Sequence, residues 1–396
     1  MLDELRSVPS RLALALFSGG AVLAILLALI LNSGSGSAAP EKRLRAPQAG
    51  AAGQQPGGKA PSKATGDESR PSKRVSVRRL VGQRFMVGLR GADPTPTLLR
   101  DAENGELGSI LLFPERAPPA TVAAAIDKLQ AAARAGGNPP LLIATDQEGG
   151  SVKRFPQGPP SAPLSSLSGS AALREGAATG HYLRRYGINV DLAPVVDLGL
   201  PGSFMTSEGR TISPDPKRVT DVALDFASGL EGGGVMPVAK HFPGLGAASN
   251  NTDNEKSIVT VPLGSALEPY TALIESRNIH AGVMVSTAIY TTRDSKHGAA
   301  WSPAIVGGLL RGKLGFQGVV ISDDLSTHGV EESLPVPEAV VASAEAGVDV
   351  LMVGNAEAFR PAYEAVLRAA GDGDLPKGNL ASSYERILQA KERFAE

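Results

Sequence analysis

Eight short runs rich in Val, Ile and Leu recur between Val75 and Glu396, separated by Ala-rich stretches with helical character. The runs are Gln83–Leu89, Ser109–Phe113, Leu141–Asp146, Ile188–Asp197, Val235–Phe242, Ala281–Ala288, Gly318–Asp323 and Val348–Gly354. Amphipathic helices are predicted between them, for example over Thr121–Arg134, Pro216–Leu230, Pro303–Leu314 and Pro337–Ala346. Two of these start at Asp215-Pro216 and Ser302-Pro303. Proline suits a first helical position because an N–H there would have no intrahelical partner. Strands alternating with helices imply a parallel sheet, and a count of eight favours a closed (β/α)₈ barrel of the TIM type. A doubly wound open sheet is the competing architecture, but no glycine-rich phosphate loop follows the first run.

Polar residues fall where the apolar runs stop. The third run ends in Asp146, the fourth in Asp197, the fifth in Lys240-His241, the sixth in Ser286-Thr287 and the seventh in Asp323-Asp324, and Asn355 follows the eighth. In a barrel these are the C-terminal ends of the strands, where such folds place their chemistry. Any single one could be a helix cap or a solvated loop residue; five together mark a mouth. Carboxylates, a Lys, a His and Arg154 around one mouth suit a substrate with many hydroxyl groups, which needs both donors and charged acceptors.

Before the first run the texture is different. Leu12–Leu31 carries no charged residue, and at 1.5 Å per residue it would span roughly 30 Å, the hydrocarbon thickness of a bilayer. A cleaved signal peptide is the rival reading, although its apolar region is usually about 7–15 residues long. Arg6 and Arg11 precede the run. By the positive-inside tendency residues 1–11 are then cytoplasmic, residues 12–31 a transmembrane anchor, and the remainder extracytoplasmic. The expected location is the cell membrane, single-pass, or secretion if the segment is removed. Residues 32–74 are dominated by Gly, Ser, Ala, Pro, Lys and Arg. They bury too little to offset chain entropy, which predicts a disordered linker before a barrel domain at 75–396. The absence of cysteine excludes disulfides, thiolate catalysis and Cys-based zinc sites. With 39 basic and 40 acidic residues the net charge is −1, which gives no electrostatic reason for a nucleic-acid partner. A monomer is the default expectation.

Specific motifs sit at the polar strand ends. Ala144–Phe155 reads ATDQEGGSVKRF and resembles the DQEGG-x-V-x-R-F signature of bacterial β-N-acetylglucosaminidases (β-N-acetylhexosaminidases) in glycoside hydrolase family 3. Asp191–Asp197 (DLAPVVD), Lys240–Gly244 (KHFPG), Leu314–Leu325 (LGFQGVVISDDL) and Ala346–Met352 (AGVDVLM) resemble further motifs of that family, in order. The resemblance implies a retaining glycosidase acting on β-linked N-acetylglucosamine in cell-wall-type glycans or muropeptides. Asp323 would be the nucleophile that forms a covalent glycosyl-enzyme. Asp146, Arg154, Lys240 and His241 would grip ring hydroxyls, and Arg210 falls near a family arginine on the loop after the fourth strand. A cation close to a carboxylate lowers its pKa, so Lys240 is expected to hold Asp323 ionised, while Asp324 points to the other face. Chemistry of this type implies no metal and no redox cofactor.

One departure bears on the mechanism. The family's general acid is a His in an Asp-Ser-His stretch on the loop after KHFPGHGDT. Here Leu245 and Ala247 stand in place of the usual His and Asp, and the stretch reads Asn251-Thr252-Asp253. Thr287 occupies the place of another frequent family histidine, and His241 alone of the five histidines lies in a recognised motif. Three readings stay open. Asp253 takes over as general acid/base, with Glu255 as a less well aligned candidate; the site is slow and acts on sugars with good leaving groups; or the barrel binds glycan without cleaving it.

Overall fold

In the computed structural model, which describes residues 75–375 and 377–396, the eight apolar runs become eight parallel strands of one sheet. They are β1 (Phe85–Arg90), β2 (Ser109–Phe113), β3 (Leu142–Thr145), β4 (Val190–Asp191), β5 (Met236–Phe242), β6 (Gly282–Val285), β7 (Val320–Ser322) and β8 (Leu351–Val353). Neighbours pair in the order β7-β6-β5-β4-β3-β2-β1-β8. A bridge from Ile321 to Val350, the residue before β8, closes the ring. The helices that cover it are α1 (Pro96–Asn104), α2 (Pro119–Ala135), α3 (Ser170–Arg185), α4 (Pro216–Gly232), α5 (Glu268–Glu275), α6 (Ala304–Lys313), α7 (Val336–Ala346) and α8 (Ala356–Asp372), with α9 (Lys377–Phe394) last. Asp215 caps α4 by accepting the Lys217 N–H, and Pro216 is its first residue, as the sequence predicts. The Pro303 region departs from an ordinary helix: Gly308 N–H donates to Pro303 C=O and Leu314 N–H to Leu309 C=O, five residues back, so α6 is π-type.

The strands are apolar along most of their length because both faces are covered. Met86, Leu111, Ala144, Val238, Met284, Ile321 and Met352 point inward and form a core inside the barrel. Their neighbours Val87, Ile110, Ile143, Ala239, Val283, Val320 and Val353 join the larger core under the helices. Alternation with a period of two is what a pleated strand imposes. Ile387, Ala390 and Phe394 of α9 belong to the inner core with Met236 and Val319, which lie near the starts of β5 and β7. Helix α9 therefore plugs the N-terminal end of the barrel, opposite the mouth.

The second strand matches its run, Ser109–Phe113, but the others are shorter than their runs, most of all the fourth, where only Val190–Asp191 of the expected Ile188–Asp197 is a strand. Pro194 has no N–H to give the ladder, and pairing resumes only as a bridge between Val195 and Lys240. Beyond the mouth, Ile258–Val259 in the loop after β5 pairs in parallel with Ile289–Tyr290 after β6. The expected cytoplasmic tail at 1–11, anchor at 12–31 and linker at 32–74 lie outside the described residues. Among the described residues no helix is long and apolar enough to cross a membrane.

Candidate active site

A cavity of about 530 Å³ opens at the C-terminal ends of the strands. Asp146, Arg154, Arg210, Lys240, His241, Asp253 and Asp323 all border it. Glu255, Ser286, Thr287 and Asp197 are not among its lining residues, whereas Asn355 is. Met284, Met352, Leu111 and Leu192, inward side chains of the strands, form its floor.

Its centre is a chain of buried ion pairs. Lys240, at 2% side-chain exposure, donates to Asp146 Oδ1 at 2.8 Å and lies 2.7 Å from Glu148 Oε1. Arg210 grips the same Glu148 with two hydrogen bonds, Nε to Oε2 at 3.0 Å and Nη2 to Oε1 at 2.8 Å. Arg154 approaches Asp146 Oδ2 at 3.4 Å and stacks over the Phe113 ring. Burial alone would raise both carboxyl groups, but Lys240 with Arg154 for Asp146, and Lys240 with Arg210 for Glu148, hold them below their ordinary values. Burial pulls Lys240 down, and the two carboxylates more than restore it, so its pKa is raised. Asp146, Glu148 and Lys240 are therefore held in their charged forms, and each has a neighbour of opposite charge.

The ion pairs of Lys240 differ from the expected link to Asp323. Among the described residues Lys240 forms ion pairs with Asp146 and Glu148 and none with Asp323. Asp323 follows β7 directly: its N–H donates to Val285 C=O at 2.8 Å, and its Oδ1 accepts the Asp324 N–H at 2.9 Å. Asp324 turns toward β8, where its Oδ1 accepts from Ser326 N–H at 2.8 Å, Ser326 Oγ at 2.6 Å and Gly354 N–H at 2.9 Å. Gly354 leaves the room for this, since a Cβ there would lie 2.1 Å from Asp324 Oδ2. Asp324 thus joins the ends of β7 and β8 while still bordering the cavity.

His241 is oriented from behind. Its Nδ1 lies 2.7 Å from Oδ2 of the fully buried Asp197, which also accepts the Leu245 N–H at 2.6 Å. Asp197, read from the sequence as a polar end facing the mouth, instead supports the ring that does face it. Asp253 lies at the rim and is exposed there. Protein nevertheless crowds its carboxyl on the other sides, and its pKa is raised to about 6, first by burial and then by the charges of Asp323 and Asp324. Among the described residues no group of three or more His, Cys, Asp or Glu side chains is arranged to hold a metal ion.

Two buried acids escaped the sequence reading. Glu148 stands two residues after Asp146 in an extended segment, and that spacing places both side chains on one face. The DQEGG motif displays the pair, so the signal was present. Asp191, at the end of β4, is fully buried, accepts the Gln147 N–H at 2.9 Å through Oδ1, and has no hydrogen-bond partner at Oδ2. Burial, opposed by that hydrogen bond, raises it to about 8. Its place inside the apolar run Ile188–Asp197 signals burial, but nothing local in the sequence signals its raised pKa.

Residues 75–390 match the family described as the glycosyl hydrolase family 3 N-terminal domain. An uncharacterized secreted glycosyl hydrolase of Arthroderma benhamiae is 30% identical over 343 residues, covering 82% of this chain and 96% of that protein. The beta-hexosaminidase LpqI of Mycobacterium tuberculosis is 31% identical over 334 residues, covering 80% and 83%. The crystal structure of a Beutenbergia cavernae beta-N-acetylhexosaminidase superposes with a TM-score of 0.74 at 32% identity, covering 80% of this chain and 99% of that one. A family 3 beta-N-acetylglucosaminidase from a Paenibacillus strain gives a TM-score of 0.77 at 29% identity; the match covers 81% of this chain but only 63% of the Paenibacillus chain.

Proposed function

The chain belongs to glycosyl hydrolase family 3, and on that premise we propose that it is a retaining β-N-acetylhexosaminidase with Asp323 as nucleophile and Asp253 as general acid/base. The observation that carries this reading is the gathering of both carboxyl groups with Asp146, Arg154, Arg210, Lys240 and His241 around one cavity. The names of the beta-hexosaminidase relatives support the substrate class. The charged cluster on β3 and β5 holds the hydroxyl groups of a terminal N-acetylglucosamine. Asp323 attacks the anomeric carbon, and the glycosidic C–O bond breaks as Asp253 gives its proton to the leaving oxygen. Asp253, now ionised, takes a proton from the water that attacks the glycosyl-Asp323 ester. That second displacement releases the sugar with its original configuration. Asp253 is favoured over Glu255 because it borders the cavity and has a raised pKa.

An activated fluoro-sugar and a pair of aryl N-acetylglucosaminides test this. The wild type should accumulate a covalent adduct on Asp323, and Asp323→Asn should abolish both the adduct and turnover. No adduct and no hydrolysis of even the good leaving group would sink the reading and leave a glycan-binding barrel. Cell-wall glycan or muropeptide is the proposed natural substrate, with residues 12–31 as membrane anchor, supported by their uncharged apolar run. Recovery of the full chain in a salt-washed membrane fraction would agree; a soluble chain lacking the run would point to a cleaved signal.

A further inference from the structure

A general acid works only if its carboxyl stays within hydrogen-bond reach of the leaving oxygen, so the loop that carries Asp253 must be held in place. Asp253 lies on a stretch without helix or strand, at the exposed rim. Its side chain could swing clear of the substrate unless neighbouring loops restrain its backbone. Two neighbours do so, from opposite sides.

The first restraint comes from the loop after β4. Asp253 N–H donates to Oδ1 of Asn251 at 2.9 Å, and Asn251 Nδ2 donates to Glu208 Oε1 at 3.3 Å. The other oxygen of Glu208 lies 3.4 Å from Arg210 Nη1. Arg210 is fixed by its two bonds to the buried Glu148. The rim loop is thereby tied through one exposed carboxylate to the buried ion-pair chain that holds the sugar. The second restraint comes from the loop after β7, which also carries the nucleophile. Gly329 N–H donates to Asp253 C=O at 3.4 Å, and Thr327 Oγ1 donates to Thr252 C=O at 3.5 Å. A Cβ on residue 329 would lie 2.2 Å from Thr252 O and 2.6 Å from Glu255 O. Gly329 is not among the glycines of positive φ, so close approach of the two backbones, rather than a left-handed conformation, is what needs a glycine here.

We propose that Glu208 and Gly329 are positioning residues for the acid, clamping the 251–255 loop between the sugar-binding cluster and the nucleophile loop. The proposal rests on Asp253 being the acid. Neither residue touches the reacting atoms. Their effect is felt where Asp253 moves a proton: in glycosylation with poor leaving groups, and in deglycosylation, which kcat/KM does not report. A good leaving group departs unaided.

The test compares kcat/KM on two aryl N-acetylglucosaminides, one with a good and one with a poor leaving group, in the full chain. Glu208→Ala and Gly329→Ala should each lower kcat/KM on the poor leaving group by about tenfold, a fraction of the 10²–10⁴ a positioned acid contributes. The good leaving group should be little affected. Glu208→Gln keeps an oxygen to accept from Asn251 and should recover most of the loss. Equal losses on both substrates in Glu208→Ala, or a Glu208→Gln variant as impaired as Glu208→Ala, would overturn the clamp. Asp253→Asn separates the clamp from the underlying reading. If it spares the poor leaving group, the acid assignment fails and the clamp with it. If it is selectively impaired while Glu208→Ala and Gly329→Ala are not, the acid stands and the clamp falls. A misfolded Gly329→Ala protein would lose the good substrate too, and Glu208→Ala then decides alone.

Discussion

A carboxyl group serves as an acid only while it keeps its proton, and the surroundings of Asp253, the proposed acid, make its charged form costly. Burial and the neighbouring Asp323 and Asp324 raise it to about 6. For a poor leaving group, kcat/KM should therefore fall as pH rises past about 6, when Asp253 gives up its proton before the reaction. Asp253→Asn should lower the rate by about 10²-fold and erase that alkaline limb. A pH–rate profile of both proteins checks this; a limb that survives in Asp253→Asn would mean that another group titrates. The residues that hold the sugar behave differently. Asp146 and Glu148 are pinned in the ionised form by Lys240, Arg154 and Arg210, so binding should vary little over the range in which the acid titrates. Two sets of acids in one cavity thus have separated proton affinities, set by whether their nearest charges are cations or anions.

At the scale of the element, α9 shows how a barrel closes its far end and what that closure encloses. Lys391 faces the same interior, 1% exposed, and its Nζ donates to Gln83 Oε1 at 2.6 Å. Burial pushes its pKa down to about 7, since no carboxylate offsets the lost hydration. The folded pKa is depressed relative to the ordinary 10.5, so between about 7 and 10 the unfolded chain binds a proton that the native protein does not. Stability should rise with pH across that window, and the gain is lost as pH falls toward 7. Lys391→Met, which retains most of the apolar stem, should flatten this rise and stabilise the protein below pH 7. Urea midpoints at pH 6 and pH 9 measure it. A slope unchanged in the variant would show that Lys391 is not the titrating group. Because α9 lies opposite the mouth, kcat/KM should be little changed in the same protein.

The whole molecule was largely legible because a barrel repeats one pattern eight times, and each apolar run located a strand. Boundaries were less legible. Pro194 cuts β4 short although the run around it is apolar, because a ladder depends on a backbone N–H that hydrophobicity does not report. The mouth was legible as strand ends, with Asp146, Lys240, His241 and Asp323 in place. The partners within it were not: Lys240 and Glu148 are 92 positions apart (240 − 148) and meet only through the fold. The sequence places Asp197 at the mouth, whereas its side chain turns to a histidine behind it. Charge pairing across strands is decided by which inward positions share a level of the barrel, and no local pattern encodes that. The closed floor formed by Met284, Met352, Leu111 and Leu192 has a kinetic consequence. A well with a sealed floor has one doorway, and in the proposed binding mode the sugar sits below the aglycone in it. The aglycone must leave first and the free sugar last, so N-acetylglucosamine should compete directly with substrate for the empty enzyme. The departed aglycone should meet an occupied well. Product-inhibition patterns, competitive for the sugar and not for the aglycone, would record that order of traffic.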